Sequence, residues 1–219
     1  RSDWRRHGQG AQSSADRVPV MSMLINPFRL AAGGAVTFDP AGLASGLTLS
    51  NGNLTVESTT DIAHSLIKGT VVITSKAYWE VMVDAIGSVN VFRVSVGCAE
   101  DAELNSNYLG QTTIGAGYLP SGQKVSGGSR IAFGASFATG DIAMVAYDPT
   151  TTSIWFGKNG TWTGDPAAGT GAAYAGLGFV SPKAAVSLIS VDLPARSKVT
   201  ARFAAASWQY VAPSGFAQI

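Results

Sequence analysis

One cysteine and two histidines in 219 residues leave little material for several kinds of chemistry. Cys98 alone cannot close an intrachain disulfide, and in the apolar run VFRVSVGCA it is expected to be a buried structural thiol. No Cys or His set stands at metal-ligand spacing, and no D-x-D-x-D-G calcium loop occurs. The glycine-rich stretches GGAV, GGS and GTGAA are not followed by GK[ST], which excludes a P-loop, and the absence of G-x-S-x-G excludes a nucleophile elbow. His7 lies in a polar N-terminal stretch, and His64 in TDIAHSLIKG reads as a surface or strand-end residue. Charge is also scarce, at 13% of residues and a net +1. Residues 1–20 hold Arg1, Arg5, Arg6 and Arg17 against Asp3 and Asp16, so the rest carries eleven basic and twelve acidic residues, or −1. No basic cluster marks a nucleic-acid surface. No apolar run approaches the ~18 residues of a membrane helix, and no apolar segment typical of a secretory signal follows the first arginines.

What the chain does have is glycine (26 residues) and a 46% hydrophobic share, the composition of many short strands joined by tight turns. No helical stripe and no fixed-period repeat is present. Period-2 and continuous apolar segments bounded by Gly, Pro, Asn and Asp predict strands near 36–39, 46–50, 53–57, 69–74, 77–85, 91–98, 114–118, 130–133, 141–148, 152–157, 184–189, 198–203 and 208–210. Turn signals every 8 to 12 residues or so argue for a sandwich rather than βαβ units. Three segments read as long loops: 99–109, 119–129 and 164–178. Loops on a rigid sandwich are where binding usually resides.

The N-terminus divides in two. Residues 1–20 are too polar to offset their ordering entropy alone, whereas MSMLINPFRL at 21–30 is apolar and precedes a hinge-like Ala-Ala-Gly-Gly. Either this apolar half is a first edge strand, or Met23, Leu24, Ile25, Phe28 and Leu30 anchor the chain to a neighbouring subunit. Met21 has the character of an initiator, which would make residues 1–20 an upstream extension, a cloning scar or the product of an unusual start. The expected division is an extended arm over 1–34 and a sandwich over 35–219.

The strongest local signal is Asn159-Gly160, flanked by Trp155-Phe156 and Trp162. Both central residues of a type I′ turn need positive φ, so this pair predicts a two-residue hairpin. Together with YWEVMVD at 78–84, SVGCA at 95–99, GDIAMVAYD at 140–148, IWFGKNGTW at 154–162 and AAVSL at 184–188, it resembles the SPRY domain family. The resemblance covers roughly Phe38 to the C-terminus. It implies an all-β, bent antiparallel β-sandwich of jelly-roll type that binds partners through loops at one rim and has no catalytic activity. The segments SNYLG, GYLPSGQK, GDPAAGTGAAYAGL and PSGF are similar, more loosely, to SPRY-like modules of tailed-phage structural proteins.

Trp79 and Trp155 sit among apolar neighbours and are expected in the core, while for Trp162 core and surface are both open. The carboxylates Glu80, Asp84, Asp141 and Asp148 invite a glycosidase reading. Turn or strand-edge roles fit them better, because Asp141 follows Gly140 and Asp148 precedes Pro149. For the ligand rim the candidates are Asn105, Asn107, Tyr108, Gln123, Lys124, Trp162, Asp165 and Tyr174, which offer adaptable hydrogen bonds and rigid contact area. No cofactor or metal is implied. The expected function is a non-enzymatic virion surface protein, a homo-oligomer or part of a larger assembly, attached to other virion proteins by its arm and displaying a site for protein or host-surface glycan, with no nucleic-acid partner and no membrane span. A purely architectural capsid protein and a polysaccharide-degrading tail spike are the rivals.

Overall fold

The computed structural model describes residues 34–59, 62–87, 94–190 and 196–219. The expected arm and its anchoring residues Met23, Leu24, Ile25, Phe28 and Leu30 lie outside them. Residues Ala35–Ile219 form one compact unit. Its strands are β1 (Leu47–Ser50), β2 (Thr55–Ser58), β3 (Ile62–Lys68), β4 (Ala77–Ala85), β5 (Val94–Glu100), β6 (Gly115–Tyr118), β7 (Gln123–Ser126), β8 (Ser129–Ala132), β9 (Ile142–Asp148), β10 (Ser153–Lys158), β11 (Thr161–Trp162), β12 (Pro182–Ser190) and β13 (Lys198–Arg202). They build two antiparallel sheets, one ordered β1-β2-β13-β4-β9-β10-β11 and the other β3-β12-β5-β6-β7-β8. The all-β antiparallel sandwich expected from the sequence is the architecture observed.

Side chains alternate across each strand, and the alternation builds the core. Trp79, Val81 and Val83 of β4, Val145 and Tyr147 of β9, and Ile154 and Phe156 of β10 point inward. They meet Val94, Val96 and Cys98 of β5 and Val186 and Leu188 of β12. The opposite face of the seven-stranded sheet is also covered: Tyr78, Ile142, Met144, Ala146 and Trp155 pack with Phe216, and with Trp208 and Tyr210 of the C-terminal tail. The outer face of the other sheet is covered where Leu109 packs on Leu66, Ala99 and Ala185. Burial on both sides explains why β9 reads IAMVAYD, apolar almost throughout, with every residue buried. Trp79, Trp155 and Cys98 are buried as expected, with exposures of 0%, 1% and 0%.

Three strand assignments and one loop assignment need correction. The strand placed at 69–74 is a connection in which Ile73 is buried and Val71 is 38% exposed. The real strand is β3, just before it, whose edge position tolerates His64 and Ser65 and so weakens its hydrophobic signal. Segment 119–129, read as a loop, holds β7 and opens β8, because Gly127 and Gly128 at φ 58° and 73° make a two-residue hairpin turn. Residues 36–39 contribute only a bridge from Phe38 to Gly69. Residues 208–210 form no strand, since the amides of Gln209 and Tyr210 bond a side chain instead of a ladder.

The predicted hairpin is present. Asn159 and Gly160 have φ of 47° and 85°, and Lys158 pairs with Thr161 across the turn. A Cβ on Gly160 would also stand 2.9 Å from the Tyr210 ring. Gly160→Val should therefore destabilise the domain by more than the ~1 kcal/mol of turn strain alone. Thermal melting checks this, and an unchanged midpoint would contradict the turn assignment.

Candidate functional site

The carboxylates come first, because their environments separate structural duty from chemistry. Asp148 accepts from the Thr150 amide at 2.9 Å and pairs with Lys76 at 3.2 Å. Burial would raise its pKa, but these partners outweigh burial and hold it below the ordinary 3.8. Asp141 accepts from the Ala138 amide at 2.8 Å and from Asn159 Nδ2 at 2.6 Å, and pairs with Lys158 at 2.9 Å. Its pKa too is lowered, burial being outweighed by Lys158, the amide and Asn159. Both are the turn residues expected. Asp84, next to the last residue of β4, accepts from the Thr200 hydroxyl at 2.7 Å.

Glu80 corrects the expectation of a turn or edge role. It is fully buried, between the outer face of β4 and the C-terminal tail. Its carboxylate accepts from the Tyr78 hydroxyl at 2.8 Å and from the amides of Gln209 (2.8 Å) and Tyr210 (2.7 Å), with Arg202 at 3.4 Å. A buried carboxylate needs such partners, and here they fasten the tail onto the sheet. Tyr78 responds by having its hydroxyl pKa raised, by burial first and then by Glu80.

The eight predicted rim residues are spread over several surfaces. Asn105, Asn107 and Tyr108 belong to the segment that ends on the outer face of the six-stranded sheet at Leu109. Asn105 Nδ2 donates to the Gly42 carbonyl and Asn107 Nδ2 to Glu103, each at 2.6 Å. Tyr108 lies against His64, with ring centroids 5.0 Å apart and the planes tilted by 52°, and under the Arg130 guanidinium. Trp162 lies on the opposite side of the sandwich, edge-on to Tyr78 at 5.8 Å. Asp165 caps a local turn through the Ala168 amide. Gln123 accepts from the Ser121 hydroxyl at 3.0 Å. Lys124 and Tyr174 are brought together: the ammonium stands 4.7 Å from the Tyr174 ring and 5.2 Å from Phe133, and donates to the Ala173 carbonyl at 2.5 Å.

A cleft of about 310 Å³ is lined by Tyr118, the strand partner of Lys124, with Ala135, Lys158, Asn159, Thr161 and Thr163. It forms where the segment after β8 crosses to the β10–β11 edge of the other sheet. Two contacts hold the crossing in place: Lys158 donates to the Ser136 carbonyl at 2.9 Å, and Tyr118 donates its hydroxyl to the Ala135 carbonyl. Burial pushes the Tyr118 hydroxyl pKa up to about 12, so it stays a neutral donor. Its ring lies stacked on Phe156 at 5.3 Å. Sequence reading valued this hairpin for its turn and passed over Thr161 and Thr163. Their signal was the alternation Thr-Trp-Thr, which puts two hydroxyls on one face and the indole on the other. Among the described residues no group of three or more His, Cys, Asp or Glu could hold a metal ion, and no helix is long and apolar enough to cross a membrane.

No protein-family model matches the chain, and no curated protein is similar to it in sequence. Among solved structures it is similar to the SPRY domain of human HERC1, at a TM-score of 0.61 and 19% identity over 75% of this chain and 96% of that one. It is also similar to stonustoxin, at a TM-score of 0.54 and 19% identity, covering 77% of this chain but 27% of that protein. With sheet order, double-sided burial and these likenesses in hand, the sandwich from Ala35 to Ile219 has a SPRY-like fold.

Proposed function

We propose that this chain is a non-enzymatic binding module and, more specifically, a virion structural protein that displays the cleft region to a protein or host-surface glycan and attaches through its N-terminal arm. The observation that carries the binding reading is how the polar groups are used. Asp84, Asp141, Asp148 and Glu80 each serve a structural bond, whereas the hydroxyl-bearing Thr161 and Thr163 line an accessible cleft at a sheet edge. The particle context is supported by the phage-like segments and by the contrast between the polar and apolar halves of residues 1–30.

Arrays of immobilised peptides and glycans, together with bacterial surface polysaccharide in solution, test this reading. Saturable binding to one array without release of reducing ends is the expected result. Release of reducing ends that is lost on changing Asp141 or Asp148 would replace the binding module by a hydrolase.

A further inference from the structure

We infer that the cleft and the β11 edge form one site for an extended, uncharged peptide segment of a partner protein, which adds as a short strand beside Trp162. The inference rests on the binding reading above and names the class of partner.

Among the described residues β11 ends the seven-stranded sheet and pairs with β10 alone. Lys158 pairs with Thr161, Gly157 with Trp162, and the Thr163 amide donates to the Phe156 carbonyl at 3.1 Å. Hydrogen-bonding direction alternates along an antiparallel strand, so the N–H and C=O of Trp162 point away from β10, to the side where no further strand lies among the described residues. An extended peptide placed there gains a donor and an acceptor at one residue. Thr161 and Thr163 flank that position and turn toward the cleft, where their hydroxyls meet the first side chain the peptide lowers into it.

The rest of the lining selects against other ligands. Tyr118, the aromatic residue of the cleft, is 1% exposed, so it offers no ring face for a sugar to stack on. Lys158, its cation, is paired with Asp141 at 2.9 Å and bonded to Ser136, so an anionic group gains little there. The Asn159 side chain is also occupied, accepting from the Ile142 amide and donating to Asp141. What remains is a neutral, hydroxyl-bearing cleft beside an open main-chain edge. That combination fits a backbone carrying small polar side chains.

The test selects binders from a displayed random-peptide library on the full chain, synthesises the best one and titrates it by calorimetry. In the complex the Trp162 amide should exchange about tenfold more slowly with solvent, while the Thr163 amide, already bonded, changes little. Thr161→Arg, at an exposed position, should weaken binding about tenfold by filling the cleft mouth. Thr163→Val should weaken it by removing a hydroxyl at nearly constant shape. Selected peptides that bind equally well to both variants and leave the Trp162 amide unchanged would overturn the inference while leaving the binding module in place. A glycan whose binding is lost in Thr161→Arg would do the same. Failure to bind any peptide or glycan would bring down both readings.

Discussion

Replacing Glu80 with alanine should lower the stability of the sandwich by about 3–5 kcal/mol, the range seen when one member of a buried charged set is removed and its partners stay behind. The substitution strips the acceptor from the Tyr78 hydroxyl, from the amides of Gln209 and Tyr210, and from Arg202. The Tyr78 hydroxyl lies under the tail and the two amides belong to it, so they cannot all regain water without the tail lifting. Glu80→Gln keeps one acceptor oxygen and should fall between wild type and alanine. Urea unfolding measures the loss, and the near-ultraviolet signal of Trp208 and Tyr210 reports whether the tail detaches first. A loss below about 1 kcal/mol would mean that the tail is held by packing alone.

Trp155→Ala should cost a similar amount, about 3–5 kcal/mol, through a different mechanism. The indole is 1% exposed, meets Phe216 edge-on at 6.2 Å and donates Nε1–H to the Thr170 carbonyl at 2.9 Å. Alanine leaves a cavity under the tail and frees the 164–172 turn, whose ends are tied by the Asp165–Thr170 bridge. Trp155→Phe should recover most of the packing and leave the loss of one hydrogen bond, about 1 kcal/mol. If alanine at 155 changes the unfolding midpoint no more than a surface substitution does, the outer cluster is not a second core. Because Glu80 and Trp155 touch the same tail, their double variant should lose less than the sum of the two.

The all-β class, the Asn159-Gly160 hairpin and the inward-facing Trp79 were legible because each rests on a local rule: side-chain alternation, positive φ, or a large aromatic among apolar neighbours. Asp141 and Asp148 were legible for the same reason, since their bonding partners Ala138 and Thr150 lie within three residues. Glu80 was misread because its partners Gln209 and Tyr210 come 129 and 130 residues later. A strand pattern cannot show that the outer face of a sheet will be roofed by a distant tail. The ligand rim suffered in the same way: Asn105 and Trp162 look equivalent as polar or aromatic loop residues, yet lie on opposite sides of the sandwich.

By itself, the sequence determined the strands with strong period-2 or doubly apolar patterns, the hairpin turn, and the buried state of Trp79, Trp155 and Cys98, because steric and hydration preferences act on neighbouring residues. Tertiary structure alone decided which faces were covered twice, that Glu80 was fully buried, and which sheet edges carry no further strand among the described residues. Those outcomes depend on contacts between segments far apart in the chain, such as Lys124 with Tyr174 and the cleft that joins Tyr118 to Thr163.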